Sequence, residues 1–373
     1  PPVGRSTHLG LHIYGSSRSL DFLNLSWLFD PLTLVKSLDS WRRENIEKNI
    51  LPGIKNEGDW DTRPHAHRVI RVTLETLHRW QTVLGETGDP SAARLLNPVT
   101  VHEEGVLATL ASYPDRLSAF NPQITIGFDE GAAKKIGLIR WQESEPGDWS
   151  EVILKGPQIG VSTPINKSPL DSDGSRPMDL TSLPPNYVSA TPYRRACDQE
   201  RFDQAQDKWV DGDRSREEYS KFFRTAWRSQ IASDTERSLY VALIPPGPTH
   251  IHGIQSAWCG SDRTTALTAG FWSALPVDYF LRIAGMTHLQ TGDARRLPAP
   301  QPDHLLAEEL LLRTLRLNCL TNAWAPLWKE LYRPSWRSDS WTMNGQGQQI
   351  FRMLIQPGLT NLLCVPIMSD ALH

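Results

Sequence analysis

The chain has no excess of basic charge. Its 373 residues carry 39 Lys and Arg against 42 Asp and Glu, a net charge of -3, and the pI is near 6.5. A dedicated nucleic-acid-binding domain usually shows a basic balance, so any such surface must be local. Cysteine is scarce. Cys197, Cys259, Cys319 and Cys364 lie too far apart for a Cys-x-x-Cys zinc pattern, and nothing resembles a secreted disulfide framework. A reduced, cytoplasmic setting is therefore expected. No apolar run reaches the roughly 20 residues of a membrane span, and no charged stretch followed by an apolar one opens the chain, so neither anchor nor signal peptide is expected. Internal repeats are absent. The first residues, Pro1-Pro2-Val3, lack a methionine, as expected of either a trimmed product or a piece of a longer chain.

What is present is long enough for two compact units. The 14 tryptophans are many for this length and can serve as core anchors, interface residues or base-stacking platforms. Phe22 to Leu38 alternates without a clean period and Pro31 interrupts it; a charged helix is expected over 41–50, ended by Pro52-Gly53. Val69-Ile70-Arg71-Val72 reads as a strand, residues 73–84 as a helix ended by Gly85, and residues 102–113 as a helix turning Val106, Leu107, Leu110 and Ala111 inward. Gln123 to Phe128 is a strand leading into a charged turn at 129–135. Val152-Ile153-Leu154 is a short strand closed by Gly156-Pro157. From 160 to 192, Pro164, Pro169, Pro177, Pro184, Pro185 and Pro192 enforce one long loop.

Residues 219–300 hold the densest pattern. Lys221, Arg224 and Arg228 fall at i, i+3 and i+7, which predicts a helix with three cations on one stripe and Tyr219, Phe223, Ala226 and Trp227 opposite. Such a stripe is either a solvated charge face or a face that tracks phosphates. A buried β-run follows at 238–244, then the rigid loop Pro245-Pro246-Gly247-Pro248-Thr249-His250. Residues 264–284 form a helix broken at Pro276, with Phe271, Trp272, Leu275, Tyr279 and Phe280 as core candidates. Residues 305–331 form another, kinked at Pro326, whose Leu311, Leu312, Leu315 and Cys319 make an apolar face for packing or for a partner.

Two alternating histidine pairs, His65/His67 and His250/His252, invite a metal reading, but no acidic or cysteine partner at standard spacing completes either set. Solvated or phosphate-facing rings fit better. After Pro114-Asp115 no Glu-x-Lys or Asp-x-Lys step completes a nuclease pattern. No catalytic residue and no metal ligand is assigned.

Taken in order, residues 219–229 (YSKFFRTAWRS), 235–248 (TERSLYVALIPPGP), 271–280 (FWSALPVDYF) and 297–300 (LPAP) resemble the C-terminal target-recognition region of large adenine-specific DNA methyltransferases. These occur in fused restriction-modification enzymes and related bacterial phage-defence methylases. Residues 154–159 (LKGPQI) look like the glycine turn before the recognition strands there, and 313–328 like the helix that follows them. The stretch 52–65 is similar to the segment after the catalytic domain. The resemblance covers most of residues 50–335. It implies an α+β fold: a connector region over 1–115 following a catalytic domain outside this chain, a target-recognition domain over 116–300 with a small sheet and flanking helices, and a helical segment over 301–373. The family's Asn-Pro-Pro-Tyr loop and glycine-rich S-adenosylmethionine turn are absent, and Asn97-Pro98-Val99 and Asn121-Pro122-Gln123 do not replace them. The resemblance thus implies DNA reading without chemistry, on double-stranded DNA, with S-adenosylmethionine confined to a partner catalytic domain. It puts Arg194, Arg195, Lys221, Arg224 and Arg228 on phosphates, and Gln158, Asn166, His250 and His252, on loops 157–192 and 245–252, near base edges. The competing expectation is an interaction subunit of a defence system that docks through the 305–331 helix and binds no DNA.

Overall fold

The computed structural model describes residues 19–44, 51–170, 177–210, 215–232 and 235–339. Residues 45–50 of the expected 41–50 helix, Cys364 and everything after 339 lie outside them. The fold is α+β, in two compact units, Pro1–Ala111 and Ser112–His373.

The first unit runs β1 (Asp21–Asn24), α1 (Pro31–Arg42), β2 (Lys55–Asn56), β3 (Asp59–Trp60), β4 (Ile70–Thr73), α2 (Leu74–Val83) and α3 (Glu103–Ser112). β1 pairs antiparallel with β4, and β2 with β3. Pro31 starts α1 rather than interrupting it. Its fixed φ suits the first helical turn, and the Asp30 carboxylate accepts from the Leu32 N–H. Thr73 caps α2 reciprocally with Thr76. Ile70, Val72, Leu77, Trp80, Val83, Leu96 and Leu107 form the core, whereas Val106, expected inside, is exposed. Arg68 is also fully buried. Its guanidinium donates to the Asp61 and Arg63 carbonyls, each at 2.9 Å. Burial pushes the neighbouring Asp61 carboxyl up, but hydrogen bonds from the Arg63 side chain and the Gly53 and Arg63 N–H groups prevail and hold it at about 2.

The second unit runs β5 (Gln123–Thr125), α4 (Glu130–Lys135), β6 (Ile139–Ser144), β7 (Ile153–Leu154), β8 (Thr191–Arg195), α5 (Gln199–Gln204), β9 (Lys208–Val210), β10 (Arg216–Glu218), β11 (Arg224–Arg228), β12 (Val241–Ile244), β13 (Thr249–His250) and β14 (Ile254–Trp258). The helices α6 (Asp262–Trp272), α7 (Leu275–Ile283), α8 (Thr291–Arg296), α9 (Ala307–Asn318) and α10 (Ala325–Leu331) complete it. An antiparallel sheet of order β12-β11-β14-β5 lies at its centre. The expected turn at 129–135 is the helix α4, because Asp129 accepts from the Ala132 N–H at 2.7 Å and caps it.

The striped helix expected from Tyr219 is corrected. Tyr219–Lys221 makes one 3-10 turn, and Arg224–Arg228 is the strand β11, between β12 and β14. Both faces of β11 are covered, so Arg224, Thr225, Ala226 and Trp227 are all buried. A strand covered on both sides shows no polar-apolar alternation, and its residues mimicked a helical period.

α6 packs on the sheet, where the Thr225 hydroxyl donates to the Thr265 carbonyl at 2.7 Å. α9 packs on α6 at Gly270, where a Cβ would stand 1.8 Å from the Thr314 hydroxyl. The free edge of β12 is closed by side chains. The Leu243 N–H donates to Asn318 at 2.8 Å, and the Leu243 carbonyl accepts from the Trp324 indole at 3.1 Å. Satisfying an edge strand in this way removes a template for unwanted pairing. Leu311, Leu312, Leu315 and Cys319 are buried, so the apolar face of α9 is used for packing inside this unit, and residues on both sides of position 300 share one core. Two expected kinks are helix starts: Pro276 and Pro326 sit in the first turns of α7 and α10. Leu275, expected in the core, is 67% exposed, while Trp272 and Phe280 are buried.

Candidate nucleic-acid interface

β6 and β8 form an antiparallel ribbon separate from the central sheet. Its inner residues are anchored. Ile139 and Tyr193 are buried with Phe128, Leu138, Ile153 and Phe202. The Thr191 hydroxyl accepts from the Ile153 N–H at 3.1 Å and donates to the Ile153 carbonyl at 3.0 Å, tying β8 to β7. The remainder of the ribbon projects outward: Arg140, Trp141, Gln142, Glu143, Arg194 and Arg195 are exposed.

Arg140 and Arg194 stand directly opposite each other in the ladder. Like charges at such positions repel, and a bound anion would relieve them. Arg195 stacks its guanidinium 5.8 Å from the Phe202 ring centre and donates to Gln199. A cavity of about 110 Å³ beside Arg194 and Arg195 is lined also by Ser144, Ser150 and Glu151. On the same ribbon Trp141 is 51% exposed. It packs edge-on against Tyr193, ring centres 5.2 Å apart. The Lys155 and Lys134 ammonium groups lie 5.0 and 5.5 Å from its ring centre. Lys134 also pairs with Glu130. A second cavity, about 150 Å³, is lined by Trp141, Lys155, Pro157, Lys167, Pro169 and Pro192, among others. Arg140 and Arg194 leave one face of the ribbon, and Trp141, with Lys134 and Lys155 beside it, leaves the other. Glu143, Glu145, Asp148 and Glu151 follow along β6 and the turn after it, so the positive region is bounded.

Of the residues expected on phosphates, only Arg194 and Arg195 lie on this ribbon. Lys221 is exposed but pairs with Glu217 and Glu218. Its ammonium is pushed up by hydrogen bonds to these two carboxylates. Arg224 is corrected: it is fully buried and faces no solvent. Its guanidinium donates to the carbonyls of Phe222 (3.1 Å), Pro245 (3.4 Å) and Pro248 (2.6 Å), with the Tyr219 ring centre 5.1 Å away. Burial pulls its pKa down to about 10. Arg228 donates to the Ile159 and Pro157 carbonyls at 2.6 and 3.2 Å and lies 4.0 Å from the Tyr240 ring centre. The two arginines act alike, Arg224 holding the loop 245–248 and Arg228 the start of the loop 157–192. Gly247 completes the first loop with a left-handed φ of 114°, and a Cβ there would come within 2.9 Å of the Trp149 and Ser150 backbone.

The base-edge candidates divide likewise. Gln158 is buried and turned inward, donating to Ser189 and Ala190 and accepting from the Lys155 N–H. Asn166 is half-buried, its amide donating to the Pro157 carbonyl at 3.3 Å. His250 is corrected as a surface reader. It is buried, with Nε2 and the Ser256 hydroxyl 2.8 Å apart, and burial, aided by the nearby Arg224 charge, depresses it to about 3. His252 is exposed next to Gly253, while its supposed pair is buried.

In the first unit His65 Nδ1 accepts from the His67 N–H at 3.0 Å, and His67 Nδ1 lies 2.8 Å from His102 Nε2. Among the described residues no group of three His, Cys, Asp or Glu side chains is placed to hold a metal ion, and no helix is long and apolar enough to cross a membrane. Burial pushes the Cys259 thiol up to about 12 and Cys319 well above its ordinary value, so neither is a thiolate near neutral pH.

The sequence reading missed Trp141, Lys155 and Lys167. The available signal was the passage from the buried Leu138-Ile139 into Arg140-Trp141-Gln142-Glu143, where a tryptophan sits within a polar run. No protein-family profile and no curated protein matches the chain.

Proposed function

We propose that this chain reads double-stranded DNA as the non-catalytic part of an adenine-specific DNA methyltransferase of the restriction-modification or phage-defence kind. The observation that carries the reading is the β6–β8 ribbon, which exposes Arg140, Arg194 and Arg195 and, from the face opposite the Arg140–Arg194 pair, Trp141 beside Lys134, Lys155 and Lys167. A two-stranded ribbon is one of the two elements the major groove admits. Arg194 and Arg195 hold phosphates and set register, and the ribbon and the 157–170 loop edge supply contacts to base edges. Arg224 and Arg228 act from inside, fixing the two loops. The order of sequence blocks from 219 to 300 supports the family reading. S-adenosylmethionine and the methyl transfer belong to a catalytic domain outside these 373 residues, in the same parent chain or a cytoplasmic partner.

The competing interaction-subunit reading relied on the apolar face of the 305–331 helix, and the residues of that face are buried within the second unit. Selection from a random duplex pool tests the proposal. The full chain is expected to enrich one short motif over successive rounds at physiological salt; a bound pool that stays random would overturn sequence-specific reading.

A further inference from the structure

We infer that the slot between Trp141 and the prolines 157, 169 and 192 takes a single unstacked nucleobase, with the adjoining phosphates held by Lys155 and Lys167. The inference rests on the DNA-reading proposal and names what this part of the surface binds. Three observations carry it. The first is Trp141 itself. Tryptophan is costly to leave in water, yet this one is half-exposed, at a right angle to the buried Tyr193, and what lies over its ring are the Lys155 and Lys134 ammonium groups, on flexible side chains that a stacking base can displace toward its own phosphates. The second is the slot. It is about 150 Å³, the size at which a cavity accepts one small aromatic ring. Four of its lining residues carry rings, Trp141, Pro157, Pro169 and Pro192, and Lys155 and Lys167 are among the rest. Arg228 fixes its base by gripping the Pro157 and Ile159 carbonyls.

The third observation is charge. Among the described residues neither Lys155 nor Lys167 makes an ion pair, and Glu130, which feels the Lys155 charge, is paired with Lys134. Two ammonium groups beside an aromatic platform match a nucleotide, whose π-face stacks on any aromatic side chain while its phosphates need cations; stacking of this kind tolerates any base. A base inside a duplex is stacked on both sides, so the slot selects a nucleotide that is unpaired or pulled from the helix.

The test compares two duplexes of one mixed sequence, the first fully paired and the second carrying one unpaired, bulged adenine. Affinities are measured by fluorescence anisotropy with the full chain. Wild type is expected to prefer the bulged duplex. Trp141→Ala should lower affinity for it by roughly 5- to 150-fold, the range for losing one base–aromatic stack, and by at least about fivefold more than it lowers affinity for the paired duplex, so that the preference disappears. Trp141→Phe should keep most of the preference, which a purely structural role for the indole would not. If both duplexes bind equally well to wild type, or if Trp141→Ala weakens both alike, the slot inference falls while DNA reading stands. If neither duplex binds, the DNA-reading proposal falls and this inference with it.

Discussion

Arg224 separates a structural arginine from a phosphate contact. Replacing it with Ala removes a guanidinium that donates to three carbonyls, at 3.1, 3.4 and 2.6 Å. The Pro248 and Phe222 oxygens lose their well-placed donor, and a buried acceptor left unpaired costs about 1–3 kcal/mol. The emptied volume adds a packing loss, and relief of the buried charge offsets part of the total. We expect Arg224→Ala to destabilise the second unit by about 2–4 kcal/mol, from one or two orphaned buried acceptors and the packing loss, less the relief of the buried charge. Arg224→Lys should recover little, because one ammonium cannot span carbonyls from residues 222, 245 and 248 in the way a planar fork does. The assay is urea unfolding followed by tryptophan fluorescence, with Arg194→Ala as the control, expected to stay within about 0.5 kcal/mol of wild type. If Arg224→Ala unfolds at the wild-type midpoint and instead weakens DNA binding, Arg224 lies on the surface and the account of β11 is wrong.

Two further outcomes follow from the same core. His250 is depressed to about 3 in the folded protein, against about 6.5 unfolded. Between these values the unfolded chain binds the proton that the folded one refuses. Stability is therefore complete above about pH 6.5 and falls as the pH drops toward 3, by up to about 1.4 kcal/mol per pH unit from this residue. His250→Gln should flatten that slope in pH-dependent urea unfolding; an unaltered slope would show that His250 titrates normally. Gly270→Ala places a Cβ against Thr314 and should cost about 1–3 kcal/mol by overpacking. Thr314→Ala should recover part of that loss in the double variant, and strict additivity would refute the close approach of α6 and α9.

Much of the frame was legible before the structure. The prolines of 160–192 forced a loop, and between its short ends no helix or strand forms among the described residues. Val241–Ile244 read as a buried strand because four consecutive apolar residues leave no solvent face. Pro276 marked a break between two helices, although its effect is to start α7 rather than to kink one long helix. The segment 219–228 failed for a physical reason. On a strand buried on both faces, cations at i, i+3 and i+7 carry no periodic meaning, and the groups that satisfy Arg224 are backbone carbonyls, two of the three 21 and 24 residues away, which leave no trace in side-chain pattern. The site was legible in part. The adjacent cations Arg194 and Arg195 stand out in any reading. The exposure of Trp141 does not, because most tryptophans anchor cores, and its lysines arrive from 7 residues before it and from 14 and 26 residues after it in the chain.

The most direct measurement of whether the ribbon meets DNA is the salt dependence of duplex affinity, wild type against the Arg194→Ala, Arg195→Ala double variant. Each phosphate contact contributes about 0.9 to the slope of log affinity against log salt. The account predicts a slope shallower by about 2 for the double variant, with weakening on every sequence alike. An identical slope and affinity would contradict it, and would place the DNA-binding surface elsewhere or remove it.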